Sequence, residues 1–381
     1  MINLINELFV NGFIYLFIFF VLFLLTVFES VHELKKYRFL TAFLCAFFLF
    51  LFTGLRWDTG TDWISYKGLF DNVDFNFDEL FFIQIYSFEF GYVLLNIFIK
   101  FFVDNYTVLL LVDSLIAVGI VYLFIRKFSP NPNISLFVFY NAFFVAQFMG
   151  SNRRIIALGA ALFVFYYVHE KKFGKYLIWQ TIAFLFHRSS LMLAFAWFIP
   201  KKRFTAKQIL VILFICLLIG IPQLPLKLVG LIGQSFSAGG AIVDRLIFYS
   251  ENSETTISEN TNPLVLMTLS AIKRGVFLCF YLYVIKLNKS VLDTISDYFL
   301  NIYVVGFAVY LLFNGSAIFQ MFSTYFTFIE IVLIGRFWSY ADKRSKLIFL
   351  SVLFFYGFFQ LLSSLNAYPE LYLPYKTFLD A

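Results

Sequence analysis

Apolar runs recur along this 381-residue chain from end to end, many near the roughly 17–25 residues that cross a bilayer as helix. No water is available in the hydrocarbon core to satisfy backbone amides, so such runs fold as helices. With 61% of residues hydrophobic and 14% charged, the chain departs from a soluble domain, which is about half apolar and about a quarter charged. The expected fold class is therefore all-α. We predict a polytopic helical membrane protein with about ten spans, a re-entrant half-helix pair and interfacial helices. No polar stretch is long enough for a separate soluble domain, so residues 1–381 are read as one integral domain.

Charge then sets the topology. The formal net charge of +6 resides mostly at helix ends, where Lys and Arg orient a protein; it does not point to nucleic acid. Cys45, Cys216 and Cys279 lie apart within apolar runs, with no disulfide or metal spacing. The first run, 8–28, lacks a preceding basic region and a small-residue cleavage site, so it reads as a retained helix. Lys35, Lys36 and Arg38 follow it and belong inside, which puts the N-terminus outside. Further spans are expected at 39–55, 106–125, 134–149, 155–168, 209–221, 263–285, 298–313, 321–334 and 347–365. The C-terminal tail then ends outside. Segments 56–105 and 222–262 are the larger external pieces, the first rich in Asp and Glu. Within it, 91–103 is too short to span and reads as interfacial or re-entrant.

The run 176–199 poses a choice. As one span it would place Lys201, Lys202, Arg203 and later basic clusters outside. As two half-helices meeting at His187 and Arg188 it keeps them inside, and the positive-inside bias selects that hairpin. Polar backbone at membrane depth is tolerated where it lines a protein cavity, so the break itself marks a candidate site.

Three polar clusters sit at ends of apolar runs: Gly54 to Tyr66, Asn152-Arg153-Arg154, and His187-Arg188-Ser189-Ser190. We expect the fold to bring them to one external face. Arg56, Arg153, Arg154, Arg188, Lys273 and Arg274 all fall at or near the outer half. A lone basic residue there ordinarily meets a headgroup or snorkels. Several together, on the side where positive charge is disfavoured, call for an anion. Arginine's planar fork matches paired phosphate oxygens, so a lipid diphosphate is the natural ligand. His187 is either a structural histidine or a general base whose pKa the neighbouring arginines lower, keeping the ring neutral. Asp62 is a turn aspartate, an arginine partner or a rival base, with Trp63 and Tyr66 as a sugar-stacking surface. Asp58 reads as a turn residue. There is no Asp-x-Asp pair and no phosphate loop for a nucleotide-sugar donor, which argues against cytoplasmic nucleotide chemistry.

At these residues the sequence resembles the EpsG family of Wzy-like exopolysaccharide and O-antigen polymerases. The match is carried by Gly54-Leu55-Arg56 with Gly60-Thr61-Asp62 and Tyr66, by Arg153 with Ile156-Ala157, and by Ala183 to His187 with Ser189 and Leu191. Pro374-Tyr375 resembles the family's ending. Arg154 stands where members often have Gln, and Phe319-Gln320-Met321-Phe322 lacks an arginine often found in the late span. The resemblance implies joining of undecaprenyl-diphosphate-linked oligosaccharide repeat units on the outer face of the bacterial cytoplasmic membrane, without metal or soluble cofactor. It also implies work alongside a flippase and a chain-length regulator. In that setting Arg153, with Arg154 or Arg56, would stabilise the leaving diphosphate. Arg188, Lys273 and Arg274 would add to diphosphate or sugar binding, and His187 or Asp62 would take the acceptor proton. A flippase or transporter of lipid-linked glycans would need a similar cationic cavity, but such folds commonly carry internal repeats and none is evident. A ligase-like transferase would use the same diphosphate chemistry with another acceptor.

Overall fold

The computed structural model describes residues 2–31, 34–73, 88–235, 263–287, 293–314 and 316–380. Parts of both expected external segments, 74–87 and 236–262, lie outside the described residues. Everything else is helix and connecting turn, apart from one isolated β-bridge between Arg56 and Thr377. Two compact units form, one from 1–191 with 330–381 and one from 192–329.

In the first unit, α1 (Ile2–Asn11) and α2 (Phe13–Ser30) lead to α3 (Arg38–Gly54), the short α4 (Trp63–Asn72) and α5 (Phe90–Phe102). Then come α6 (Tyr106–Phe128), α7 (Pro132–Phe139), a π-helix over Tyr140–Phe148, α8 (Asn152–His169) and α9 (Phe173–Phe186). The second unit holds α10 (Ala206–Gly220), α11 (Leu224–Ser235), α12 (Pro263–Leu287), α13 (Thr294–Leu312) and α14 (Ala317–Thr327). The chain returns to the first unit as α15 (Glu330–Tyr340), α16 (Lys343–Asn366) and α17 (Pro369–Tyr372).

Among the described residues, six helices are long and apolar enough to cross a membrane, or seven if the pair α10 and Leu224–Leu231, bent by 55°, counts as one. This corrects the expected ten, and the reasons are local. The 134–149 run is a short α-helix followed by a π-helix, not one regular span. The 155–168 run belongs to an 18-residue helix that opens on Asn152, Arg153 and Arg154, so one end is strongly polar. The 91–103 run is the 13-residue α5, short as expected.

α8 is the pillar of the first unit. Ile155 through Leu158 and Ala160 through Leu162 have no exposed surface at all. Small residues at Ala157, Gly159, Ala160 and Ala161 let neighbouring backbones approach, the usual means of packing helices where lipid offers no hydrophobic drive. At Gly159 a β-carbon would already lie 3.0 Å from Ile120 of α6. By contrast α2 and α3 each bury only 39% of their apolar window and expose rings such as Phe17, Phe20, Phe43 and Phe47. Those faces suit lipid.

The C-terminal tail is bound onto the loop after α3. Trp57 N donates to Lys376 O (2.9 Å), Gly60 N to Leu371 O (2.9 Å) and Phe378 N to Leu55 O (3.0 Å). Tyr375 stacks on Phe52 with ring centroids 4.4 Å apart and donates its hydroxyl to Phe52 O at 2.6 Å. Asp58 sits in the left-handed region (φ 44°) and pairs with Lys376 at 3.1 Å, in keeping with a turn role. Gly60, at φ 111°, is required: a β-carbon there would stand 2.0 Å from Met149 O.

These contacts set a stability contrast. Gly60→Ala combines a disfavoured φ with a backbone clash and should cost more than about 1 kcal/mol. Gly68→Ala, where the β-carbon meets nothing within 4 Å inside α4, should be neutral or gain up to about 1 kcal/mol. Thermal unfolding of the two purified variants in one detergent checks this. Equal midpoints would refute the packing described for the loop.

Candidate functional site

The site forms where three chain breaks meet at the N-terminus of α8. The first break is the loop from Gly54 to Asp62, which ends α3. Its base is Arg56, only 2% exposed. Arg56 Nη1 donates to Thr53 O and to Thr53 Oγ1 (2.8 Å), and Nη2 donates to Asn152 Oδ1 at 2.5 Å. Asn152 Nδ2 in turn donates to Tyr92 OH at 3.1 Å. Arg56 thus ties the end of α3 to the start of α8 from beneath. A side chain held there is a positioning group.

The second break is the π-helix and turn before α8. A π-turn widens the helix and is enriched at functional sites. Here it carries Gln147, whose Oε1 accepts from Arg154 Nη1 at 2.7 Å. α8 starts after Ser151, which makes no side-chain cap, and has no acid in its first turn. Instead Arg153 and Arg154 occupy that turn. Cations at the positive end of a helix dipole are disfavoured, and an anion placed there is favoured on both counts.

Arg153 is held between rings and carboxylates. Its guanidinium lies 4.9 Å from the Phe88 ring and 5.6 Å from the Tyr66 ring. Nη1 pairs with Glu89 Oε2, and Nε donates to Tyr66 OH at 3.3 Å. Tyr66 OH also lies 3.2 Å from Ser151 Oγ and 3.5 Å from Asp62 Oδ2. Arg153 keeps 20% of its side chain exposed, so it remains within reach of a ligand. Burial raises the Asp62 carboxyl above its ordinary pKa, opposed by Arg153 and by hydrogen bonds from Tyr66 and Thr61.

The third break is at His187. α9 ends at Phe186, His187 is extended (φ −157°, ψ 115°), and the chain resumes as a 3-10 helix, Arg188–Phe198. The expected helix break at this position is thus present. Gly91 of α5 packs against Leu185, where a β-carbon would be 2.9 Å away. That approach lets Glu89 Oε1 accept from Arg188 N at 3.2 Å. His187 Nδ1 lies 2.6 Å from Ser189 Oγ. Outside the six candidate spans, its imidazole is pushed down to about 3 by burial, then by Arg154 and Arg153. Arg188 is exposed.

A family model for the EpsG family matches residues 39–377, nearly the whole chain. The chain belongs to the EpsG family. Membership carries a polymerase type of function in exopolysaccharide or O-antigen synthesis. Searches of curated proteins and of solved structures returned no match. The polar blocks described above all fall within the matched region.

In this EpsG-family chain, the residues read from sequence divide into groups. Asp62, Tyr66, Arg153, Arg154 and His187 gather as expected, with Arg188 beside them. Trp63 does not present a sugar-stacking face. It is 9% exposed and packs edge-on against Trp57 (5.1 Å) and Tyr106 (5.6 Å) in an aromatic core. Arg56 is buried beneath the cluster. Lys273 and Arg274 belong to the second unit, where Arg274 donates to Ser270 O (3.2 Å) and lies 3.8 Å over the Tyr310 ring. Sequence reading missed Glu89, which counted only as one more acid of an external segment. Its position directly before an apolar helix, rather than in mid-loop, was the available signal.

Electrostatics yields a pH prediction. An unfolded histidine takes a proton near pH 6.5, while folded His187 stays neutral to about 3. Its folded pKa is depressed, so its effect on stability is lost as pH falls below 6.5. Between pH 6.5 and 5 the unfolding free energy should decline by up to about 1.4 kcal/mol per pH unit on this account. His187→Gln should flatten that slope relative to wild type. A pair of parallel slopes would show that His187 is not held neutral.

Proposed function

We propose that this chain polymerises lipid-linked oligosaccharides at the outer face of a bacterial cytoplasmic membrane. The donor is a growing glycan on undecaprenyl diphosphate, and the acceptor is a sugar hydroxyl of an incoming lipid-linked repeat unit. The observation that carries this reading is the pair Arg153 and Arg154 in the first turn of α8, with His187 and Asp62 alongside.

In this reaction the acceptor oxygen forms a bond to the donor's anomeric carbon as the bond from that carbon to the diphosphate oxygen breaks. The electron pair leaves with the lipid diphosphate, and the acceptor proton passes to a base. Negative charge grows on the diphosphate in the transition state, where fixed guanidinium groups act most strongly. Arg153 and Arg154 take that role, with Arg188 at the rim. Arg56 acts through Asn152 by fixing the start of α8. Tyr66 orients Arg153 and Asp62 together.

His187 is the base we assign, with Asp62 its rival. A ring with a pKa near 3 is by itself a weak proton acceptor. Arg154 and Arg153 contribute to that depression, so a bound diphosphate would offset them and return basicity when it is needed. Burial is the larger cause of the free-state value, and the two arginines add to it, so only their share would be offset. Adding inorganic pyrophosphate to protein labelled at the His ring carbon should move one of the three histidine titrations toward the ordinary range. Unmoved titrations would remove His187 from the site.

The function itself is tested in cells lacking their own matching polymerase. Wild type should restore a polysaccharide ladder, while Arg153→Ala, expressed equally, should give single-repeat product. The expected loss is about 100- to 1,000-fold in transfer rate, with Arg153→Lys intermediate because the planar fork is lost and the charge kept. An unchanged ladder in Arg153→Ala would overturn the assignment. Failure of repeat units to reach the outer face without this protein would favour a flippase.

A further inference from the structure

The second unit contains a cavity of about 680 Å³ that the polymerase reading does not use. Lys202, Arg203 and Lys286 line it beside one carboxylate, Asp297, so three cations face a single negative group. The remaining wall is apolar and includes Phe204, Leu282 and Ile285. It lies between the loop that precedes α10, the C-terminal turn of α12 and the first turn of α13.

The loop is held in place. Asn301 of α13 is fully buried and makes three bonds to it. Its Nδ2 donates to Pro200 O (2.7 Å) and Lys202 O (2.9 Å), and its Oδ1 accepts from Phe204 N (2.9 Å). Arg203 Nη1 pairs with Asp297 Oδ1 at 3.0 Å. Thr205 and Gln208 close a capping box that starts α10. Lys202 and Lys286 are exposed and have no carboxylate partner among the described residues. A fixed backbone thus presents two lysines and an oriented arginine over an apolar wall.

We propose that this cavity binds a phosphate-bearing anion, with an anionic phospholipid headgroup as its occupant. Cationic pockets between membrane helices select such headgroups, the phosphate meeting Lys and Arg while the upper acyl chain lies on apolar side chains. A free phosphate would satisfy the same cations but leave the Phe204, Leu282 and Ile285 wall uncovered. The apolar wall is what favours the lipid.

The test uses the full-length protein in nanodiscs of phosphatidylcholine, alone or mixed with phosphatidylglycerol. Thermal unfolding and native mass spectrometry of retained lipid are the two readouts. Phosphatidylglycerol should raise the midpoint of wild type, and the Lys202→Gln/Lys286→Gln variant should bind it about 10- to 30-fold more weakly. That variant keeps the Arg203–Asp297 pair and changes two exposed side chains, so its fold is expected to survive. Lys207→Gln, in the first turn of α10 and outside the cavity lining, should bind like wild type. If millimolar inorganic phosphate in phosphatidylcholine gives the same shift, and the double variant loses it, the occupant is free phosphate and the anion site stands. Equal lipid binding by wild type and double variant, or an equal loss in Lys207→Gln, would overturn the proposal.

Discussion

A guanidinium packed between two aromatic rings, in a chain this poor in charge, needs a counter-ion, and Glu89 supplies one to Arg153. Leaving either partner alone in so desolvated a setting would cost several kcal/mol. The same carboxylate accepts the Arg188 amide through its second oxygen. One side chain thus joins the start of α8, the start of α5 and the break at His187. The anion first inferred for the arginine cluster is, in part, internal. That changes the meaning of the cluster. Arg153 is a partnered, oriented group that keeps a fifth of its side chain exposed, while Arg154 behind it is buried against Gln147 and Arg188 is exposed.

Beneath that pair the tail completes the frame. Three backbone hydrogen bonds bind residues 371–378 to residues 55–60, and Tyr375 is fixed on Phe52. Arg56 is enclosed by this arrangement and reaches Asn152. Chain ends otherwise tend to fray. Here residues 371–378 form part of the wall around the buried Arg56, with Thr377 bridged to it.

Much of this was legible. Apolar runs specified an all-helical membrane protein, and the three polar interruptions marked the chain breaks that meet at the site. What failed was anything that depends on which neighbour a side chain meets. Trp63 looked like a sugar platform because an aromatic beside an aspartate suits carbohydrate. The fold instead turns it onto Trp57 and Tyr106. Arg56 looked equivalent to Arg153 because both end apolar runs, and only packing distinguishes a buried brace from a partly exposed group. The π-helix over Tyr140–Phe148 was hidden by composition: where nearly every residue is apolar, no hydrophobic stripe reports the helical period. Glu89 was obscured by the acids around it.

The Glu89 pair also bears on how the proposed reaction turns over. A diphosphate entering the site competes with Glu89 for Arg153, and full neutralisation by protein would make the arginine a poor ligand. Full availability would make product release slow, since a desolvated guanidinium–diphosphate contact is strong. An internal carboxylate sharing the cation sets a middle course. In the proposed reaction it would lower ground-state affinity for the lipid diphosphate, and the guanidinium would shift toward the oxygen where charge builds as the glycosidic bond breaks. Binding energy withheld from the ground state and expressed in the transition state raises turnover. For a polymerase that must release one carrier lipid per repeat unit added, that partition matters more than tight binding.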